Sequence, residues 1–289
     1  MTRRTSTALA GYLFLAPYLA LFLTFLLGPL LYGFVLSFMK YEMISPEPPK
    51  VVGAENYIEA AKDPYFWRAL KATSLFVVFS VPVVVATALL FAVAIEAIPG
   101  KRKEVYRLAV FLPTMITISV GGILWRWFYN SEFGLFNAVL ADWGIKVPWL
   151  TESRWAMASI ILMTLWWTVG GPTVILMAGL KQIPDAYYEA AAIDGAVGLK
   201  RFFLITLPLL RPVLLFVTVI NVIGAFQIFG QTFMITRGGP ELSTRVLMQY
   251  IYEVGFNHYR LGYASAMSWM LFVIIAIFSI IQFRVLREK

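Results

Sequence analysis

The chain reads as an all-α membrane protein of six transmembrane helices. Composition points there first: 60% of its 289 residues are hydrophobic and 14% charged, against roughly 45–50% and about 25% in ordinary soluble domains. Charge-free stretches then cover residues 5–39, 72–95, 108–125, 155–180, 212–236 and 261–283. A spanning helix needs about 20 predominantly apolar residues, so each stretch can cross once. None reads as a β-barrel strand, which would be about 10 residues of alternating polarity.

The first stretch is far longer than the roughly 7–15 residues of a signal-peptide core, and no small-x-small site follows it. It is read as an uncleaved span, with Pro17 and Pro29 tolerated where neighbouring helices satisfy the freed carbonyls. The predicted spans are residues 11–39, 72–96, 106–128, 155–180, 205–235 and 262–284, in a single transmembrane domain over 1–289. Three longer loops, at 40–69, 129–154 and 236–262, carry turn signals such as Arg237-Gly238-Gly239-Pro240 and many aromatics, which suit a membrane interface. The third loop continues into an amphipathic Val246-Leu247-Tyr250-Ile251 segment.

The net charge is +8, but its distribution argues against nucleic acid, for no basic-aromatic motif accompanies it. With six spans, both termini share a side with the loops near 96–107 and 181–201. That side concentrates Arg3, Arg4, Lys101, Arg102, Lys103, Arg107, Lys181, Lys200, Arg201, Arg284, Arg287 and Lys289. The denser basic side is expected in the cytoplasm, so both termini are predicted inside. The chain has no cysteine, which excludes disulfides and thiolate sites, and its one histidine, His258, lies in a polar loop.

The loop after the fourth run is different from the rest. Pro184 and Asp185 suit a helix start, residues 186–193 are strong helix formers, and Gly195 can end the helix in a left-handed cap. Gly198 adds a second hinge before the chain enters the fifth span through Lys200 and Leu204. A short helix presenting Tyr187, Tyr188, Glu189 and Ala192 is narrow enough to enter a groove on a soluble partner.

An intramembrane enzyme would need paired carboxylates, a metal cluster or an activated nucleophile. The apolar runs carry no ionisable Asp, Glu, Lys, Arg or His, and no metal site is predicted. Gly100-Lys101 is followed by Arg102 and lacks the upstream glycine of a phosphate-binding loop. The missing buried acids also speak against a proton-coupled secondary carrier. The spans do offer neutral polarity and rings: Trp166, Trp167 and Thr168 in the fourth, Asn221, Gln227 and Gln231 in the fifth, Ser265, Ser268 and Trp269 in the sixth. Amides plus rings suit a polyhydroxylated neutral ligand, although amides in spans also bond neighbouring helices. At about 100° per residue, Gln227 and Gln231 fall within about 40° on one continuous helix, with Asn221 about 120° away, making the glutamines the better pair.

Glu189-Ala190-Ala191, Gly195, Ile205 and Leu207-Pro208, at their spacing, resemble the EAA loop of binding-protein-dependent ABC importer permeases. The likeness extends over nearly the whole chain and is closest to the carbohydrate-import, maltose-type branch in its commoner six-span form. Gly53-Ala54-Glu55-Asn56-Tyr57, Gly134-Leu135-Phe136-Asn137, Thr236-Arg237-Gly238-Gly239-Pro240 with Thr244, and Gly262-Tyr263-Ala264-Ser265-Ala266 follow in the family's order. The resemblance implies a type I ABC importer permease fold in a bacterial or archaeal inner membrane, with loop 181–208 forming a cytoplasmic coupling helix. It further implies a second homologous permease subunit, two copies of a cytoplasmic ATPase that use ATP and Mg, and an external solute-binding protein. The chain itself would bind no cofactor. Glu189, Ala190, Ala191, Asp194, Gly195, Ile205, Leu207 and Pro208 would form the ATPase-coupling loop. Trp166, Trp167, Asn221, Gln227, Gln231 and Trp269 are candidate substrate-pathway residues by position rather than motif. The implied cargo is a sugar or oligosaccharide. Glycerol-3-phosphate or another polyol is the alternative, and an ion-coupled carrier a remoter one.

Overall fold

A computed structural model of the chain describes the backbone of residues 3–287 and the side chains of residues 12–284. It falls into two compact units, one of residues 1–64 with 251–273, the other of residues 65–250 with 274–289. Each follows from its own sequence.

In the first unit the leading span runs Tyr12–Ser37 with almost all of its apolar perimeter exposed. A π-turn over Leu23–Leu27 ends where Gly28 N–H bonds Leu23 O, one residue before Pro29. A proline ring clashes with the carbonyl four residues back and offers no N–H, and a widened turn accommodates both. A two-strand ribbon, Met39–Lys40 antiparallel to Lys50–Val51, then leads into the helix Glu55–Lys62. Asn56 Nδ2 donates to Ser37 O (2.9 Å) and Met39 O (3.0 Å), while the Tyr57 hydroxyl lies 2.6 Å from Ser37 Oγ. Gly262 opens the last long helix against this ribbon, where a Cβ would sit 2.0 Å from Met39 O. Tyr263 OH donates to Asp63 (2.8 Å) and Arg260 pairs with Glu59 (2.7 Å).

The second unit begins with the unbroken helix that starts at Pro64 and runs to Glu96. The third span is not the continuous helix expected over 106–128. Helices Arg102–Phe111 and Ile118–Phe128 are joined by a 3₁₀ turn over Leu112–Met115, and the pair bends by 96°. Pro113 has no N–H to continue the ladder, and Ile116 and Thr117 are extended at the corner. The fourth span bends by 49° between Ser153–Thr168 and Gly170–Leu180. Gly170 is required there: a Cβ would lie 2.6 Å from Val110 O. Among the described residues, counting each bent pair as one crossing gives six spans; four helices there are long and apolar enough to cross unaided.

The fifth span, Gly198–Phe226, repeats the device of the first: a π-turn over Phe202–Thr206 ends one residue before Pro208. It stops at Phe226, short of the expected 235. Gln227 winds off the helix, and a separate helix covers Gly230–Ile235. Ala88, Ala92, Ile95, Leu176, Met177, Leu210 and Val217 form one apolar core among these spans. A second cluster gathers Trp125, Tyr129, Met163 and Ile235. The amphipathic segment after the fifth span folds as helix Leu247–Tyr252 and buries Val246, Leu247, Tyr250 and Ile251.

Candidate functional site

Two places in the second unit hold most of the predicted site residues. The first is the loop 181–208. Pro184 is extended and stands just before the helix, which begins at Asp185 and ends at Ile193. Ala196 N–H bonds Ala191 O (2.8 Å) and Gly195 N–H bonds Ala192 O (3.1 Å), with Gly195 at φ +73°. That is a Schellman cap, and the buried Ala191 and Ala196 supply its apolar contact. Glu189, Ala190 and Asp194 are exposed, and so are Ile193, Val197 and Leu199. Tyr188, expected on the outward face, turns inward: Thr206 Oγ1 lies 3.4 Å from its hydroxyl and the Arg201 guanidinium 5.3 Å from its ring centre. Ile205 and Leu207 are half-buried, Pro208 is exposed, and Thr206 between them is buried. The loop helix is therefore tied to the fifth span by a tyrosine and a threonine. Nothing periodic in the sequence marks that pair.

The second place is a cavity of about 420 Å³, within the range of small-ligand sites. Trp167, Thr164, Thr168, Asn221 and Gln231 line it among apolar residues, and no charged residue does. Here the expected glutamine pairing is corrected. Because the helix stops at Phe226, Gln227 is exposed and off the cavity, whereas Gln231 is buried and shares its wall with Asn221. Asn221 spends its Nδ2 on Val217 O (2.8 Å), leaving its oxygen for another partner. Thr164 Oγ1 is buried with no hydrogen-bond partner, just behind the wall its residue helps to line. Trp167 presents its ring there while its Nε1 donates to Ile116 O (2.9 Å). Trp166 stands off the cavity and packs on Trp125 with ring centres 5.5 Å apart. Trp269, in the first unit, packs edge-on against Phe34 and Phe272.

The remaining motif segments are spent on holding loops. Asn137 bonds Val147 through both backbone groups (3.0 and 3.1 Å) and accepts from Trp149 Nε1 (3.0 Å). A Cβ on Gly134 would sit 2.3 Å from Asn130 O. Thr244 donates to Gly239 O (2.7 Å) and lies 2.7 Å from the Thr236 hydroxyl. Buried Tyr129, whose hydroxyl donates to Ser159 O (2.7 Å), belongs to the same set.

An apolar multi-span bundle with an exposed capped helix between spans and a polar wall within them defines a membrane permease subunit of the type I importer fold. Residues 66–288 match the family of the binding-protein-dependent transport system inner membrane component, and the chain belongs to that family. It is 36% identical to the probable ABC transporter permease protein YesP of Bacillus subtilis, over 96% of this chain and 90% of that protein. It is 34% identical to the lactose transport system permease protein LacF of Rhizobium radiobacter, over 96% and 94% respectively. The crystal structure of a bacterial ABC transporter involved in import of the acidic polysaccharide alginate has a chain of the same fold. That chain superposes with a TM-score of 0.83 at 23% identity, covering 99% of this chain and 98% of its own.

Proposed function

We propose that this chain is one of two membrane-spanning subunits of an ATP-driven importer for a neutral sugar or oligosaccharide. Its place is the cytoplasmic membrane of a bacterium or archaeon, with both termini and loop 181–208 inside. A second homologous permease completes the pore, two copies of a soluble ATPase drive it with ATP and Mg, and an external solute-binding protein delivers cargo. The carrying observation is the helix Asp185–Ile193, closed by a Schellman cap and exposed along Glu189, Ala190 and Ile193. Glu189 offers a charge to a basic ATPase groove, the alanines allow close approach, and Gly195 allows the return. The Tyr188–Thr206 link would carry ATPase closure into the fifth span.

Relatives named for lactose, arabinooligosaccharides and trehalose or maltose favour a sugar. The cavity favours a neutral one, because an anionic cargo calls for arginine or lysine and the lining carries neither. Hydroxyls would pair with Gln231, Asn221 and Thr164, and a sugar C–H face would pack on Trp167. The test is reconstitution of the whole complex in vesicles. Glu189→Lys should leave the subunit inserted and assembled yet abolish uptake while ATP is still hydrolysed. Uptake at the unmodified rate would refute the coupling role, and uptake without ATPase would refute the importer reading altogether.

A further inference from the structure

Glu96 is the last residue of the helix beginning at Pro64. A carboxylate there faces the negative end of the helix dipole, which disfavours it unless cations stand close. Two do, from different elements. Lys103 Nζ, on the helix that opens the third span, lies 3.4 Å from Glu96 Oε2, and Lys181 Nζ, first residue after the fourth span, lies 3.6 Å from Oε1. The carboxylate is 18% exposed and Oε1 is buried with no hydrogen bond. Lys103 hydrogen-bonds Oε2, whereas Lys181 stands just beyond hydrogen-bonding reach of Oε1, at a spacing where a shift of less than 1 Å would make the bond. Lys181 stands four residues before the helix that starts at Asp185. Glu96 thus joins the ends of the second, third and fourth spans at the root of the exposed loop.

We propose that Glu96 is a positioning residue for energy coupling: through Lys103 and Lys181 it fixes the root of loop 181–208, so that motion of the loop is passed to three spans together. Burial of the carboxylate keeps its attraction to the two lysines from being screened by salt. The Lys181 arm, with its unformed hydrogen bond, tightens or slackens as the loop root moves. Tyr188–Thr206 then drives the fifth span and the Glu96 clip drives the second, third and fourth. The inference rests on the coupling role assigned above to this loop.

The experiment measures cargo uptake per ATP hydrolysed by the complete complex in vesicles. Glu96→Gln and Lys181→Gln should each lower that ratio by about fivefold, the low end of measured coupling energies. The double variant should be no worse than Glu96→Gln alone, since that change already removes the Lys181 interaction. A purely structural role would lower uptake and hydrolysis together and leave the ratio unchanged, and that outcome overturns the proposal. Additive losses in the double variant overturn it as well. Lys181 is half-exposed, so Lys181→Gln carries the test if Glu96→Gln fails to insert. Glu189→Lys is run alongside. If it uncouples and the clip variants do not, the clip falls and the coupling loop stands; if it too leaves the ratio unchanged, both fall.

Discussion

The segments at Asn56, Asn137 and Thr244 and the segment at Glu189 are equally recognisable as motifs, yet they are built in opposite ways. In the first three, the polar side chains are buried and consumed by the chain itself: Asn137 satisfies Val147 and Trp149, Asn56 satisfies Ser37 and Met39, and Thr244 satisfies Gly239. In the last, the backbone is capped by its own carbonyls, and Glu189, Ala190 and Asp194 are left outside while Ala191 packs into the cap. A motif whose polar groups are satisfied internally is holding a loop. One that closes its backbone and leaves its side chains outward is prepared for another molecule.

Substitutions can break that comparison. Gly262→Val should have the largest effect on stability, because any Cβ there meets Met39 O at 2.0 Å. Overpacking of this kind costs about 3 kcal/mol, visible as a lowered melting temperature of the purified complex. Asn137→Leu comes next. It leaves Val147 and the Trp149 indole without these partners, at about 1–3 kcal/mol, and should lower the melting temperature while the inserted subunit still assembles. Gly195→Asp should reverse the pattern. The left-handed residue is strained by roughly 1–2 kcal/mol, but melting should shift little while uptake collapses. A large melting shift with uptake retained would place this loop with the other three. Gln231→Leu should reduce uptake by roughly tenfold, equivalent to one lost hydrogen bond of about 1.4 kcal/mol, and Gln227→Leu should not. Lys50→Ala breaks only an exposed pair with Glu47 and should change melting by no more than a few tenths of a kcal/mol.

Much of this was legible before any coordinates, and for physical reasons. Charge-free length reports a crossing directly, and a helix-forming run closed by glycine reports a capped helix: Gly195 stands at φ +73° and Gly198 at +57°. The corner at Ile116–Thr117 was not legible, because residues 108–125 carry no charge and hydropathy is blind to direction. Pro113 was the one available signal. The end of the fifth span at Phe226 was hard to read, since residues 227–235 carry no charge and Gln227, Gly230, Gln231 and Thr232 can each sit within a spanning helix. That gap misplaced Gln227 beside Gln231. Tyr188 was read outward because helical periodicity does not reveal a threonine eighteen positions along the chain.

The corner in the third span has a consequence for insulation. Where backbone leaves a helix inside an apolar layer, its carbonyl must find a donor or draw in water. At Ile116 that donor is the indole of Trp167, whose ring also lines the cavity. A single side chain thus stands between the cavity proposed for cargo and a bare peptide group. Any rotation of that indole during a transport cycle would wet the break and loosen the corner together, so the wall and the seal of the passage open on one hinge.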